Sequence, residues 1–185
     1  LKELTCRVFA TARKEEDVQR LISDGFESTC LDLSQSKSIQ KALFWLLQKT
    51  DQKIDILFNN GAYGQPGATE DLTRDVMREQ FETNLFGTME LTNSVIPIMR
   101  KQGYGKIIHN SSILGFISFP FRGAYNASKY ALEGFADTQR LELHGSGISI
   151  SLIEPGPITS KFRENAFKNF VKNIDKEKSY FKTRY

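Results

Sequence analysis

Short apolar runs alternate with amphipathic segments along the whole chain. Five of the runs predict strands, at 6–12, 27–33, 54–60, 106–112 and 149–155. Segments with helical periodicity lie between them, at 15–25, 36–50, 73–101 and 123–144. Gly25 is placed to end the first of these helices, and Ser36 or Ser38 is available to cap the second. The pattern predicts one domain, residues 1–185, in which strands and helices alternate.

The predicted strands are apolar on both faces, which is typical of a parallel sheet covered by helices on both sides. We therefore predict a doubly wound α/β fold. In such a sheet, ligands bind beyond the carboxyl ends of the strands. Polar or glycine-rich residues follow all five ends, at Arg13, Asp32, 59–64, 110–112 and 154–158. Their placement predicts one site that several strand ends form together.

Composition and charge exclude some classes of protein. The 185 residues are 39% apolar and 25% charged, as in ordinary globular proteins, and the net charge is +3. So small a surplus argues against a nucleic-acid partner. The longest apolar runs, 42–47 and 95–99, fall far short of the ~20 residues that span a bilayer. We expect no transmembrane segment and a cytoplasmic location.

Neither the cysteines nor the histidines indicate a metal site. Cys6 and Cys30 lie in predicted strands, where we expect buried reduced thiols and no disulfide. The sequence has no CxxC motif and no cluster of Cys and His, so no metal is expected. His109, inside a predicted strand, is expected to be a buried histidine with its hydrogen bonds satisfied.

Tyr125 and Lys129 lie four residues apart on a predicted helix and therefore share one face. A tyrosine hydroxyl with a pKa near ~10 is a poor proton relay, and an ammonium one turn away would lower that pKa. Ser112, thirteen residues before Tyr125 at a strand end, could polarise a carbonyl oxygen. Hydrolysis fits poorly, because no base is evident for Ser112 and no GxSxG motif is present. Taken alone, the pair Tyr125 and Lys129 would be an ordinary solvated helix pair.

The motifs in their order and spacing resemble those of the short-chain dehydrogenases/reductases. They are "NNGA" at 59–62, "NLFG" at 84–87, Ser112, "YNASK" at 125–129 and "PGPI" at 155–158. The resemblance extends to about Phe162 and is strongest to the branch that contains retinol, hydroxysteroid and long-chain-aldehyde enzymes. It implies a Rossmann-type fold and an oxidoreductase that transfers hydride between a nicotinamide dinucleotide and an alcohol or carbonyl substrate.

The same resemblance implies roles for individual residues. Tyr125 would be the catalytic acid and base, and Lys129 would lower its pKa and bind the nicotinamide ribose. Ser112 would orient the reacting oxygen. Asn84 would hold a helix kink and the water that links Lys129 to solvent.

The resemblance also implies where a dinucleotide would lie. Residues 59–61 would line its adenosine, Asp32 and Leu33 would flank the adenine, and 155–160 would contact the nicotinamide. Arg13 stands where a basic residue binds the 2′-phosphate of NADP, which favours NADP over NAD. The implied cofactor residues are Arg13, Asp32, Leu33, Asn59, Asn60, Gly61, Tyr125, Lys129, Pro155, Gly156, Ile158 and Ser160.

Three departures from the family pattern qualify this interpretation. The family's Asn-Asn-Ala-Gly reads Asn-Asn-Gly-Ala here, and Ser160 stands in a threonine position. The first strand and its TGxxxGxG turn are absent, and "LKEL" at 1–4 resembles the end of the helix that would follow them. We expect a fragment whose sheet has two unpaired inner edges. The chain also stops before the family's last helix and strand, so 163–185 would be the start of the substrate-loop region.

Some alternatives stay open at this point. A protein of the same fold could bind a dinucleotide as a sensor without turnover, and epimerases or dehydratases acting on nucleotide sugars also contain YxxxK. The phenylalanine-rich stretch 116–123 is either core or the wall of an apolar pocket. The helix at 73–101 is expected to pack in part against a partner subunit, giving a homodimer or homotetramer.

Overall fold

The computed structural model describes residues 6–185, and its regular elements alternate along the chain as predicted. The five strands within these residues are β1 Phe9–Ala12, β2 Glu27–Cys30, β3 Ile56–Asn59, β4 Gly105–Asn110 and β5 Ile148–Ile153. The six α-helices of the same part of the chain are α1 Glu15–Ser23, α2 Ser36–Lys49, α3 Arg74–Phe81, α4 Gly87–Gln102, α5 Gly123–Glu142 and α6 Phe162–Asn173.

The strands are all parallel and form two sheets. One sheet pairs β1 with β2, and the other has the order β3-β4-β5, with Leu57, Ile107 and Ile150 in register. Within residues 6–185, β1 pairs only with β2 and β3 only with β4. Two apolar side chains of β3, Ile56 and Phe58, are 44% and 42% exposed. The doubly wound α/β class is confirmed, and within residues 6–185 β1 and β3 each have one edge without a strand partner. The predicted helix end at 1–4 lies outside the described residues.

The main core lies between the three-stranded sheet and the helices that pack on it. Val95 and Met99 from α4 meet Ile107 of β4, and Ala136 of α5 and Ile150 of β5 belong to the same cluster. All five are nearly inaccessible to solvent. Burial of such side chains is the main stabilising contribution to the fold and fixes the positions of α4 and α5 relative to the strand ends.

The predicted helix at 73–101 contains an irregular turn. α3 ends at Phe81, a π-helical turn follows at Glu82–Phe86, and α4 continues from Gly87. Gly87 lies against the carbonyl oxygen of Leu33, so closely that a Cβ there would overlap with it. Gly103 caps the C-terminal end of α4, and its φ of +82° is a conformation that glycine adopts without strain.

Two local predictions were wrong. Cys6 is exposed because β1 begins only at Phe9, and Cys30 is partly buried, with its thiol donating to Glu15 over 3.2 Å. Neither serine caps α2, because Ser36 donates to Glu90 and Ser38 accepts a hydrogen bond from the Asp32 amide.

No helix of the described residues is both long and apolar enough to cross a bilayer.

Candidate active site

The end of β4 carries the first of the predicted catalytic residues. Ser112 follows Asn110 and Ser111 and begins a short 3₁₀ turn at Ile113–Gly115, where its hydroxyl accepts a hydrogen bond from the Leu114 amide over 3.1 Å. The Ile113 amide donates to the Pro155 carbonyl oxygen over 3.1 Å. The turn that carries Ser112 is therefore fastened to the loop that follows β5.

Helix α5 brings Tyr125 and Lys129 to the same place. Tyr125 is 8% exposed and Lys129 is 2% exposed, so neither belongs to a solvated surface pair. The Lys129 ammonium lies 5.7 Å from the centre of the Tyr125 ring and donates to the Asn110 carbonyl oxygen over 2.6 Å. The lysine is thus held between the tyrosine ring and the end of β4.

Burial controls the ionisation of both side chains. It raises the pKa of Tyr125, and the nearby Ser112 hydroxyl acts in the opposite direction. Burial also lowers the pKa of Lys129 to about 8, against the effect of Glu133. The predicted lowering of the tyrosine pKa by Lys129 is therefore not the net result, because the loss of solvent around Tyr125 outweighs its favourable contacts.

Asn84 lies in the π-helical turn and is 1% exposed. Its side chain accepts from the Tyr63 amide over 3.1 Å and donates to the Tyr63 carbonyl oxygen over 3.0 Å. It also donates over 3.2 Å to the Ser128 hydroxyl, which donates in turn to the Tyr125 carbonyl oxygen over 2.8 Å. Asn84 thus connects the loop after β3 with the first turn of α5, and the π-helical turn lies where a kink was predicted.

The last residue of β3 belongs to a buried polar cluster near Lys129. Asn59 is buried and donates to Thr92 over 3.0 Å, and its amide nitrogen lies 3.2 Å from Nδ1 of His109. Burial, helped by Lys129, lowers the pKa of His109 to about 4, so the imidazole is neutral at pH 7. His109 is buried as predicted, but its Nε2 has no hydrogen-bond partner among the described residues.

One residue predicted to flank the adenine contacts a residue predicted to line the adenosine. A Cβ on Gly61 would come within 2.5 Å of Leu33 Cδ1, so these two residues are in contact. Asn60 accepts a hydrogen bond from the Asn110 side chain over 2.6 Å. Asp32 accepts from the amide and hydroxyl of Ser34, over 2.9 and 2.7 Å, which is the turn-capping role that competes with an adenine contact.

Arg13 follows β1 by one residue and is exposed. Burial, together with the charge of Glu79, raises the pKa of the Tyr63 hydroxyl to about 12. The Arg13 charge acts to lower the same pKa, so Arg13 is close enough to Tyr63 to influence it. Arg13 therefore lies near the loop after β3, on the same side of the molecule as the strand ends.

The loop after β5 is open toward solvent. Ile158 is 66% exposed, and a Cβ on Gly156 would have no neighbour within 4 Å. The Ser160 hydroxyl accepts a hydrogen bond from the Phe162 amide over 3.3 Å. The structure therefore brings Pro155 beside Ser112 and leaves 156–160 facing outward.

Sequence reasoning missed three contributors to this site. Tyr63 is the backbone partner of Asn84, and Ser128 lies between Asn84 and Tyr125. The Phe162 ring lies edge-on to the Tyr125 ring, with their centres 5.4 Å apart. Ser128 could have been found from its helical spacing of three residues from Tyr125, whereas nothing in the sequence places Phe162 on that ring.

No group of three or more His, Cys, Asp or Glu side chains within residues 6–185 is arranged to hold a metal ion.

Comparisons with known proteins agree with this architecture. The chain is 43% identical over 165 residues to the uncharacterized oxidoreductase YbbO of Escherichia coli, and the matched region covers 89% of this chain and 61% of that protein. It is 33% identical over 163 residues to human retinol dehydrogenase 8, covering 84% and 51%. An actinorhodin polyketide ketoreductase with NADPH superimposes with a TM-score of 0.83 at 25% identity, over 99% of this chain and 72% of that one. The chain spans 61% or less of the length of these two curated relatives.

A family model described as short chain dehydrogenase matches residues 1–170, which include every residue of the site described above. Together with the identity to the relatives, this match confirms the resemblance that the sequence motifs indicated. The chain belongs to the short-chain dehydrogenase family.

Proposed function

We propose that the protein is an oxidoreductase that interconverts an alcohol and a carbonyl group with a nicotinamide dinucleotide. The proposal rests above all on one observation, the meeting of Ser112, Tyr125 and Lys129 at the end of β4 beside the loop that follows β5. A sensor that only binds the dinucleotide would have no use for a buried tyrosine beside a serine hydroxyl and a lysine ammonium.

In this function Tyr125 moves the proton at the substrate oxygen. Its hydroxyl donates to that oxygen in reduction and its phenolate accepts in oxidation, which is general acid–base catalysis. Because burial raises the pKa of Tyr125, the proton-donating form prevails at pH 7. Ser112 holds the substrate oxygen with a hydrogen bond, and the Lys129 charge beside the ring favours the phenolate when the proton has left.

The residues after β3 and β5 fit a nicotinamide dinucleotide, which would supply or accept the hydride at the carbonyl carbon. The open space in front of Gly156 and the exposed side chain of Ile158 leave room for the nicotinamide beside Pro155. The contact between Leu33 and Gly61 forms a surface for the adenosine. The NADPH of the polyketide ketoreductase, a protein of the same fold, supports this cofactor class.

We assign the preference for NADP over NAD to Arg13. The exposed guanidinium follows β1, and a 2′-phosphate there would form a charge-assisted hydrogen bond with it.

The substrate is proposed to be lipophilic. Phe116, Ile117 and Phe119 follow Ser112 and are 56%, 39% and 54% exposed, so they form an apolar surface and not a core. Phe162 adds an aromatic ring that packs edge-on against Tyr125. An apolar ketone, aldehyde, sterol or retinoid would bury this surface on binding.

The protein's assembly and location belong to the same proposal. Phe86, Tyr130 and Leu141 are exposed apolar residues on or next to α4 and α5, with 50%, 44% and 79% of their surface accessible. Such a surface suits a homodimer or homotetramer. A cytoplasmic location and the role of 163–185 as the start of the substrate loop remain predictions of the sequence.

The test is a nicotinamide absorbance assay with NADPH or NADH and a panel of apolar aldehydes and ketones. We expect turnover with at least one substrate, lost in Tyr125→Phe and kept in the matched control Tyr130→Phe, an exposed tyrosine on the same helix. Dinucleotide binding without turnover across the panel would support the sensor instead.

A further inference from the structure

Glu133 lies on α5 one turn beyond Lys129 and two turns beyond Tyr125, on the face that carries both. The sequence motif ends at Lys129, and no role follows for Glu133 from the proposed chemistry. Its side chain is only partly exposed although it is a carboxylate, and its Oε1 is buried without a hydrogen-bond partner among the described residues. A carboxylate in such a place requires a physical explanation.

The carboxylate packs beneath the turn that carries Ser112. A Cβ added to Gly115, the last residue of that turn, would come within 2.8 Å of Glu133 Oε1 and 3.0 Å of Ser111 Oγ. Ser111 Oγ is likewise buried without a partner at hydrogen-bonding distance in residues 6–185. Two polar oxygens, from α5 and from the residue before Ser112, therefore converge on the space that the missing side chain of Gly115 leaves.

The charges around Glu133 bear on the buried lysine. Burial lowers the pKa of Lys129 to about 8, and Glu133 is the group that acts to raise it. Burial raises the pKa of Glu133 itself, as do Glu154 after β5 and Asp137 on α5, while the Ser111 hydroxyl and Lys129 act to lower it.

His109 of β4 also faces the lysine, and its imidazole is neutral at pH 7 because its pKa is about 4. Of the charged groups that act on Lys129, Glu133 is thus the stabilising one.

We propose that Glu133 is a positioning residue of the active site, whose carboxylate keeps the buried Lys129 ammonium charged and braces the turn that carries Ser112. The inference rests on the proposed function, because it assigns Glu133 to two catalytic residues at once. Gly115 is part of the arrangement, since any larger residue would displace the carboxylate.

The experiment follows the ionisation of Lys129 by carbon-13 NMR of the lysine ε-carbons, with the signal assigned by its loss in Lys129→Met. In Glu133→Gln, which keeps the shape and removes the charge, we expect the midpoint to fall by about half a pH unit or more. Glu133→Asp, which keeps the carboxylate charge, should have a Lys129 midpoint close to that of the wild type. Asp137→Asn, which removes a neighbouring charge one turn further along α5, should leave the Lys129 midpoint unchanged. An unchanged midpoint in Glu133→Gln, or an equal fall in Asp137→Asn, would overturn the proposal.

Gly115→Ala is the second variant, and it changes no charge. Its methyl group should push the carboxylate away and lower the Lys129 midpoint in the same direction, so a midpoint equal to that of the wild type would also count against the proposal. Where turnover is found, the alkaline limb of its pH profile should move to lower pH in Glu133→Gln. The NMR titration needs no substrate, so a failure of the proposed oxidoreductase function would show as absent turnover with the Lys129 shift intact.

Discussion

Lys129 should destabilise the folded chain at neutral pH, and Lys129→Met tests this. The side chain is 2% exposed, and burial lowers the pKa of Lys129 from 10.5 to about 8. At about 1.4 kcal/mol per pKa unit, keeping the lysine charged costs the folded state about 3.5 kcal/mol. Below pH 8 both the folded and unfolded states carry the proton, so this cost is fully present. It disappears as the pH rises from about 8 to 10.5, because the unfolded state then binds more protons.

The measurement is the free energy of unfolding in urea at several pH values for the wild type and Lys129→Met. Between about pH 7 and about pH 9.5, the free energy of unfolding of the wild type should rise by about 2 kcal/mol relative to that of the variant. This difference does not depend on the lost hydrogen bond to Asn110, which weakens the variant equally at every pH. Lys41→Met, at an exposed position on α2, is the matched control and should show no such trend. A difference between wild type and Lys129→Met that stays constant with pH would refute the argument.

Four further substitutions test other parts of the site. Tyr125→Phe should lower turnover roughly 10²–10⁴-fold in a steady-state assay while dinucleotide affinity stays unchanged, and near-normal turnover would remove Tyr125 from the chemistry. Arg13→Ala should weaken NADP binding in a titration by roughly tenfold or more and leave NAD almost unaffected, whereas equal losses would show that Arg13 contacts no 2′-phosphate. Gly87→Ala should cost at least about 1–3 kcal/mol in urea unfolding, because its methyl group overlaps with the Leu33 carbonyl oxygen; unchanged stability would mean that the backbone there can move freely. Phe162→Ala should raise KM for apolar substrates more than it lowers kcat, and an effect on kcat alone would assign the ring to the chemistry instead.

The order of strands and helices could be predicted because each depends on local periodicity. The apolar runs around Ile107 and Ile150 form parallel strands, and the helical segment that contains Tyr125 forms α5, since burying those faces stabilises the fold they predict. The predicted strands were longer than those in the structure. The predicted runs extend past the strands of the structure, as at Cys6 before β1 and at 31–33 after β2.

The environment of the site residues could not be predicted, because it depends on contacts between distant segments. The π-helical turn around Asn84 has no periodicity of its own, and its hydrogen bonds run to Tyr63 and Ser128. The burial of Tyr125, which raises its pKa, and that of Lys129, which donates to the Asn110 carbonyl oxygen, follow only once α5 packs against β4. Sequence spacing was enough to place Tyr125 and Lys129 on one face of α5, whereas the pKa of each depends on the packing around it.

The most direct test of the proposed function follows the hydride itself. NADPH carrying deuterium at the transferable position is incubated with the protein and an apolar aldehyde, and the alcohol is analysed by mass spectrometry. The proposed function predicts one deuterium on the carbinol carbon with the wild type, and with Tyr130→Phe, but only trace labelling with Tyr125→Phe. Unlabelled alcohol, or equal labelling by Tyr125→Phe, would contradict hydride transfer at a site whose proton comes from Tyr125.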